Sequence, residues 1–441
     1  MKRILIIFCL LTLIASISYA KGWKQDKFMI TMWCHPPVSQ DSAKMLSRDK
    51  YTVTGTQILH SNGDPKANLK ELDILQKQGI KAFIFDSELL VPEVLNDPVK
   101  LEKLNKLIDT VKGHPALEGY HLTDEPSAMT FEKWAKLSEY IKKRDPKSLC
   151  YINLFPSYAN QQQLGVFLDK PLDYNPGVPT TVEGLDFQSD TVKNYAEHLD
   201  KYFEIVKPEL LSYDHYNFFK NGNDGAQYYL NLEMISKWAY KHNIPFMNIV
   251  QDCTIEPSWR LITKDELRLL AYSTIGYGGK AISWFLMWGP PEVGGLYQAP
   301  SWGGEFDEKY RQPQADWTAE VNKELTILGP ELMKLTFTGA RHCAPLPIGT
   351  VSFSKDDKAT IDSGNFFIGF FKDNKKANVF MVVNRNYKEN STATIKLSYG
   401  KKSLYEFSQK SNKWVKFANT SNKTINVELR PGAGRLFKYI N

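Results

Sequence analysis

The chain has 441 residues, 42% of them hydrophobic and 13% aromatic, and a formal charge of +6 spread along it rather than gathered in blocks. This composition excludes a disordered or low-complexity chain, and no Lys/Arg run interleaved with aromatics points to a nucleic-acid partner. So long a chain exceeds one compact core, so a large domain with a smaller one is expected.

Lys2 and Arg3 precede an apolar run from Ile4 to Ile17 that ends in Ser18-Tyr19-Ala20. Residues 1–20 therefore read as a signal peptide cleaved after Ala20, and the mature protein as secreted or periplasmic. Nothing after Ala20 approaches eighteen uninterrupted apolar residues, so no membrane span is expected once the leader is removed. Four cysteines then remain, Cys34, Cys150, Cys253 and Cys343, with neither a Cys-x-x-Cys pair nor a His at zinc-finger spacing. No structural metal is expected. An exported location permits disulfides, which spacing alone does not pair.

From Lys27 to about Leu335 short β-rich runs alternate with amphipathic stretches, the pattern of parallel βαβ units. The strands are predicted at Phe28–Trp33, Tyr51–Leu59, Lys81–Phe85, Leu117–Leu122, Cys150–Leu154, Leu210–Tyr213, Pro245–Val250 and Lys280–Phe285. Helical stripes follow several of them, as with Leu69, Leu72 and Leu75, and Gly79, Gly113 and Asn243 stand where helices should end. Eight such units predict a (β/α)8 TIM barrel over 21–340. No glycine-rich dinucleotide fingerprint follows the first strand, and no cofactor is expected. From about Pro345 strands alternate with polar turns, predicting a C-terminal antiparallel β-sandwich over 345–441 that packs on the barrel.

Barrel sites sit at the C-terminal ends of the strands, so the residues that follow each run are the candidates. These are Trp33 and His35, then His60, Asp86, His121, Asp124 and Glu125, Tyr213 through Tyr216, Gln251 and Asp252, and Trp288. Four of the eight histidines fall on this one face. Stacking rings beside directional polar groups suit a pyranose, which offers a C–H face and a rim of hydroxyls. Glycoside hydrolysis needs a protonated acid at the glycosidic oxygen and a second carboxylate that attacks the anomeric carbon or activates water. Glu125 is the expected acid: the charge of Asp124 beside it raises a carboxyl pKa, and Pro126 fixes the following turn. As the second carboxylate Asp214 is placed first and Asp252 next, with Asp86, Glu88 or substrate assistance as remaining routes. Asp214 can equally orient a sugar hydroxyl or hold His215. Trp33, His35, His60, Asp86, His121, Asp124, Tyr213, His215, Tyr216, Gln251 and Trp288 are expected to line the substrate site.

The stretch Gly119-Tyr120-His121-Leu122-Thr123-Asp124-Glu125-Pro126 resembles the acid/base strand of β-galactosidase-like barrels in glycoside hydrolase clan A, which usually carry Asn where Asp124 stands. That clan ends strand seven in a second Glu, whereas Gln251-Asp252 stands here. Leu211 through Tyr216 and Tyr272 through Trp288 resemble exported barrel hydrolases of gut Bacteroidetes. The resemblance implies breakdown of a carbohydrate substrate by a glycosidase. A non-catalytic carbohydrate-binding barrel is the alternative, given the missing strand-seven Glu. A metal-dependent hydrolase or deacetylase ranks third, since neither His-x-His nor His-Glu-x-x-His occurs.

Overall fold

The computed structural model describes residues 22–57, 64–166, 181–182, 185–186, 190–301, 306–398, 403–419 and 423–440. The leader-like residues 1–20 and His60 lie outside the described residues. Eight parallel strands form one sheet: Met29–Met32, Val53–Gln57, Lys81–Ile84, Leu117–Asp124, Leu149–Leu154, Leu211–His215, Phe246–Gln251 and Ala281–Phe285. Each pairs with the next in chain order from the second onward, and the first pairs with the eighth, Met29 opposite Ala281. Thr52 N donates to Ile30 O at 3.1 Å, bringing the edge of the second strand back to the first and closing the ring. The predicted (β/α) barrel is therefore present, with strand bounds within three residues of expectation.

Helices follow the strands in order: Gln40–Arg48, Pro65–Lys77, Pro98–Val111, Phe131–Arg144, Asp190–Lys201, Tyr228–His242, Lys264–Gly276 and Pro313–Leu332. Ser39, Asp64, Asp97 and Thr263 cap four of them by accepting from amides of the first turn, so these starts are written locally. Period-two alternation then sorts the strand side chains. Met29, Val53, Phe83, Leu149, Tyr151, Met247 and Ala281 fill the barrel interior with Trp23, whereas Ile30, Ile84, Leu122, Ile152, Leu211, Tyr213 and Trp284 pack outward against the helices. No helix among the described residues is long and apolar enough to cross a membrane.

Beyond the barrel, antiparallel strands form a six-stranded sheet, from Leu335–His342 through Phe366–Asp373, Asn378–Asn384, Gly434–Ile440 and Ser403–Ser408 to Lys413–Asn419. It encloses its own apolar core with a three-stranded sheet of Ala359–Ile361, Ser391–Leu397 and Thr424–Leu429. The first strand begins at Leu335, so the sheet reaches back into the span expected for the barrel. A bulge between Phe337 and Gly339 interrupts the alternation there, which hides the strand in the sequence. The sandwich packs on the barrel directly: a Cβ on Gly369 would lie 1.8 Å from Gly276 O, so sheet and helix touch backbone to backbone.

Candidate active site

The fourth barrel strand carries the central feature. Pairing with the fifth runs Gly119 to Leu149 and His121 to Tyr151, then slips, so that Thr123 faces Ile152 and Asp124 faces Asn153. Leu122 is the extra residue of a β-bulge. Without it Asp124 would follow the outward parity of Leu122; with it Asp124 shares the inward face with Asn153. Glu125 follows with φ +46°, a left-handed conformation that costs a non-glycine residue about 1–3 kcal/mol, and its N–H donates to Asn153 O at 2.9 Å. On the sixth strand Asp214 points inward beside them. One amide nitrogen ties the group together: Asn153 Nδ2 donates to Asp124 Oδ1 and to Asp214 Oδ1, both at 3.0 Å.

Three carboxyls thus meet at the C-terminal end of strands four and six. Burial first, then the charge of Asp124, pushes Glu125 up to about 7. Asp214 is held well above the usual carboxylate range by its full burial, and further by the charges of Glu125 and Asp124. Burial also raises Asp124, against the pull of the Asn153 amide, although its side chain remains exposed at the mouth. The Glu125 and Asp214 carboxyls are close enough to share a proton.

Aromatic rings line the mouth around this group. His121 meets Trp33 edge-on at 5.4 Å, with Phe85 at 5.2 Å and Tyr151 at 5.0 Å, and burial lowers its pKa to about 3, so the ring is neutral. Tyr216 packs at 5.2 Å from Phe285 and at 5.5 Å from Trp259. Trp33, Phe85, Tyr216, Trp259 and Phe285 are half-buried and Tyr158 is 41% exposed, which leaves faces for a ligand. His35 follows the first strand, half-buried, with its ring nitrogens enclosed and its pKa lowered to about 3 by burial. Asp86 sits at the rim, where its Oδ1 accepts from the N–H groups of Glu88 and Leu89 at 2.9 and 3.0 Å and so shapes the turn.

Several expected site residues are placed elsewhere. Asp252 lies behind the seventh strand, fully buried, accepting from Thr318 Oγ1 at 2.6 Å on helix Pro313–Leu332. The structure does not bring it to Glu125. Its neighbour Gln251 does face the loops, but its side chain is spent on backbone, accepting from Phe218 N at 2.9 Å and donating to Phe218 O and Arg260 O at 3.2 and 2.7 Å. Tyr213 points outward into the strand–helix layer. His215 pairs through Nδ1 with Asn231 Oδ1 at 2.9 Å and meets Tyr158 edge-on at 5.0 Å, so it supports that tyrosine from behind. Trp288 is only 5% exposed, within the main core. Trp288→Ala is accordingly expected to lower stability by about 3–5 kcal/mol, as buried Trp truncations do, read as a fall in thermal midpoint. An unchanged midpoint with weakened ligand binding would return Trp288 to the mouth.

Asn153, Ser212, Tyr158, Phe85 and Trp259 belong to the site and were not among the sequence candidates. The one available signal was Asn153 itself, a polar residue inside the apolar run Tyr151-Ile152-Asn153-Leu154. The four described cysteines are free thiols. Among the described residues no three His, Cys, Asp or Glu side chains are grouped to hold a metal ion. A cavity of about 490 Å³ opens at the opposite end of the barrel, between Trp23, Tyr240, Tyr277 and Phe337. Its wall groups are already engaged: Lys280 donates to the carbonyls of Leu332 and Leu335, and Glu209 pairs with Lys142. Volume alone therefore does not move the chemistry there.

No protein-family model matches the sequence, and no curated protein matches it. Among solved structures the chain is similar to a glycoside hydrolase family 5 protein from Bacteroides vulgatus, with a TM-score of 0.51 at 13% identity over 96% of this chain and 90% of that one. A family 30 subfamily 8 xylanase from Clostridium acetobutylicum aligns with a TM-score of 0.46 at 11% identity, covering 96% and 97%. A family 27 β-L-arabinopyranosidase from Geobacillus stearothermophilus aligns with a TM-score of 0.48 at 10% identity, covering 96% and 98%. These structural neighbours are glycoside hydrolases, and the first of them shows that the chain shares their (β/α)-barrel fold.

Proposed function

We propose that the chain is an exported glycosidase that hydrolyses O-glycosidic bonds of a poly- or oligosaccharide, with Glu125 as proton donor and Asp214 as the second carboxylate. The observation that carries this reading is the pair of carboxyls, Asp124 and Asp214, held by the Asn153 amide beside Glu125 at the barrel mouth, ringed by half-buried aromatics. Glu125 gives its proton to the glycosidic oxygen as the C–O bond breaks. Asp214, once ionised, either bonds to the anomeric carbon or takes a proton from the attacking water. Water supplies the hydroxyl of one product and the proton that restores Glu125. The signal-peptide pattern of residues 1–20 supports export.

The absence of a carboxylate facing the mouth at the end of the seventh strand favours a second reading, a barrel that binds sugar without cleaving it. A panel of p-nitrophenyl glycosides and plant and host glycans separates the two. Release of nitrophenol or reducing ends is expected, unaffected by chelator. Its rate should fall once pH rises far enough to strip the Glu125–Asp214 pair of its last proton, the one that must be donated to the leaving oxygen. Binding by calorimetry with no release across the whole panel would favour the binding protein.

A further inference from the structure

We infer that Asn153 is the positioning residue that allows Asp214 to give up its proton, dividing the carboxyl pair into one acid and one carboxylate. The inference rests on the glycosidase reading of the same site. Asn153 is 1% exposed, and each end of its amide is committed. Its nitrogen donates one hydrogen to Asp124 and one to Asp214. Its oxygen accepts from Ser212 Oγ at 2.9 Å, and Ser212 Oγ lies 3.1 Å from Tyr151 OH. Because the Ser212 hydrogen goes to Asn153, Tyr151 must donate to Ser212. Polarity therefore runs one way, from Tyr151 through Ser212 and Asn153 to the carboxyls. A flipped amide would set its oxygen against two acidic groups, so the relay holds the NH2 toward them.

What Asp214 faces makes this donor matter. Glu125 and Asp124 approach from the fourth strand, Tyr151 from the fifth, Tyr158 from the loop after it, Tyr195 from helix Asp190–Lys201 and Tyr216 from its own loop. These are acids and neutral phenols; none is a cation. Burial and two like charges all favour the neutral acid, and a neutral Asp214 is too weak a nucleophile and base to attack carbon or take a proton from water. The Asn153 hydrogen bond acts in the opposite direction, since it strengthens when Asp214 is charged.

The test reads Asp214 directly, by carboxyl 13C NMR titration of the full chain labelled at Asp, with its resonance assigned by loss in Asp214→Asn. In Asn153→Ala the Asp214 midpoint is expected to rise by about one to two pH units, the shift that matches the loss of one charge-assisted hydrogen bond. Ser212→Ala keeps Asn153 but frees its amide to turn, and a smaller rise of the same sign is expected; this variant also serves if Asn153→Ala fails to fold. On a p-nitrophenyl glycoside that the wild type cleaves, the acidic limb of the pH–rate profile should move with the midpoint. An Asp214 midpoint unmoved in both variants overturns the inference, even if activity is lost. A moved midpoint in a protein that releases neither nitrophenol nor reducing ends from any glycoside or glycan supports the role of Asn153 and overturns the glycosidase reading instead.

Discussion

Glu125→Gln is expected to lower turnover by about 10²–10⁴-fold, the usual loss when a general acid is removed. The amide keeps the shape of the side chain and its place at the end of the fourth strand, where the backbone N–H is held by Asn153 O, but it has no proton to give. Binding of substrate should change little, because the lost interaction belongs to the transition state. Stability should not fall. Glu125 titrates higher in the folded chain than an ordinary Glu, at about 7, so the folded state holds a proton that the unfolded chain releases from about pH 4 upward. The contribution is fully present at low pH and is lost as pH rises through about 7. A neutral amide is free of that loss, so the variant should melt no lower than wild type at pH 8. More than a third of wild-type turnover would remove Glu125 from the mechanism.

Asp214→Asn is the second large effect, with a loss of about 10²–10⁴-fold whether Asp214 attacks carbon or activates water. Added azide tells the two apart. If Asp214 is the nucleophile, azide attacks the anomeric carbon in its stead, the C–O bond breaks as Glu125 protonates the leaving oxygen, and a glycosyl azide accumulates. If Asp214 activates water, no such rescue follows. The fold should gain from the substitution above about pH 4. Asp214 is fully buried and resists ionisation, so its stabilising proton is lost as pH rises, whereas Asn is neutral throughout and its amide oxygen can still accept from Asn153. An active variant with an unaltered pH profile would dissolve the two-carboxylate mechanism.

The barrel was legible because its information is local. Short β-rich runs, capping residues such as Ser39, Asp64 and Thr263, and terminators such as Gly79 and Asn243 each act within a few residues. Pairing eight such runs in chain order then leaves few topologies. The strand from Leu335 to His342 was missed because its bulge at Gly339 breaks the alternation that would announce it. Glu125 and Asp214 were legible as candidates, since acids at strand ends of a barrel stand where sites are built.

By itself, then, the sequence determined the eightfold βα order, the antiparallel region after it, and the strand ends at which acids, histidines and aromatics collect. Which of those side chains meet was decided only in the tertiary structure. Direction across a strand changes with every residue, so a one-residue bulge at Leu122 turns Asp124 inward, while parity alone sends Tyr213 and Asp252 to the helix side and Asp214 to the mouth. The partner that joins the acids, Asn153, comes from a different strand, and its role depends on a register between strands four, five and six that no local pattern specifies. Local propensity acts over a few residues, whereas that register is set by packing summed over the whole ring.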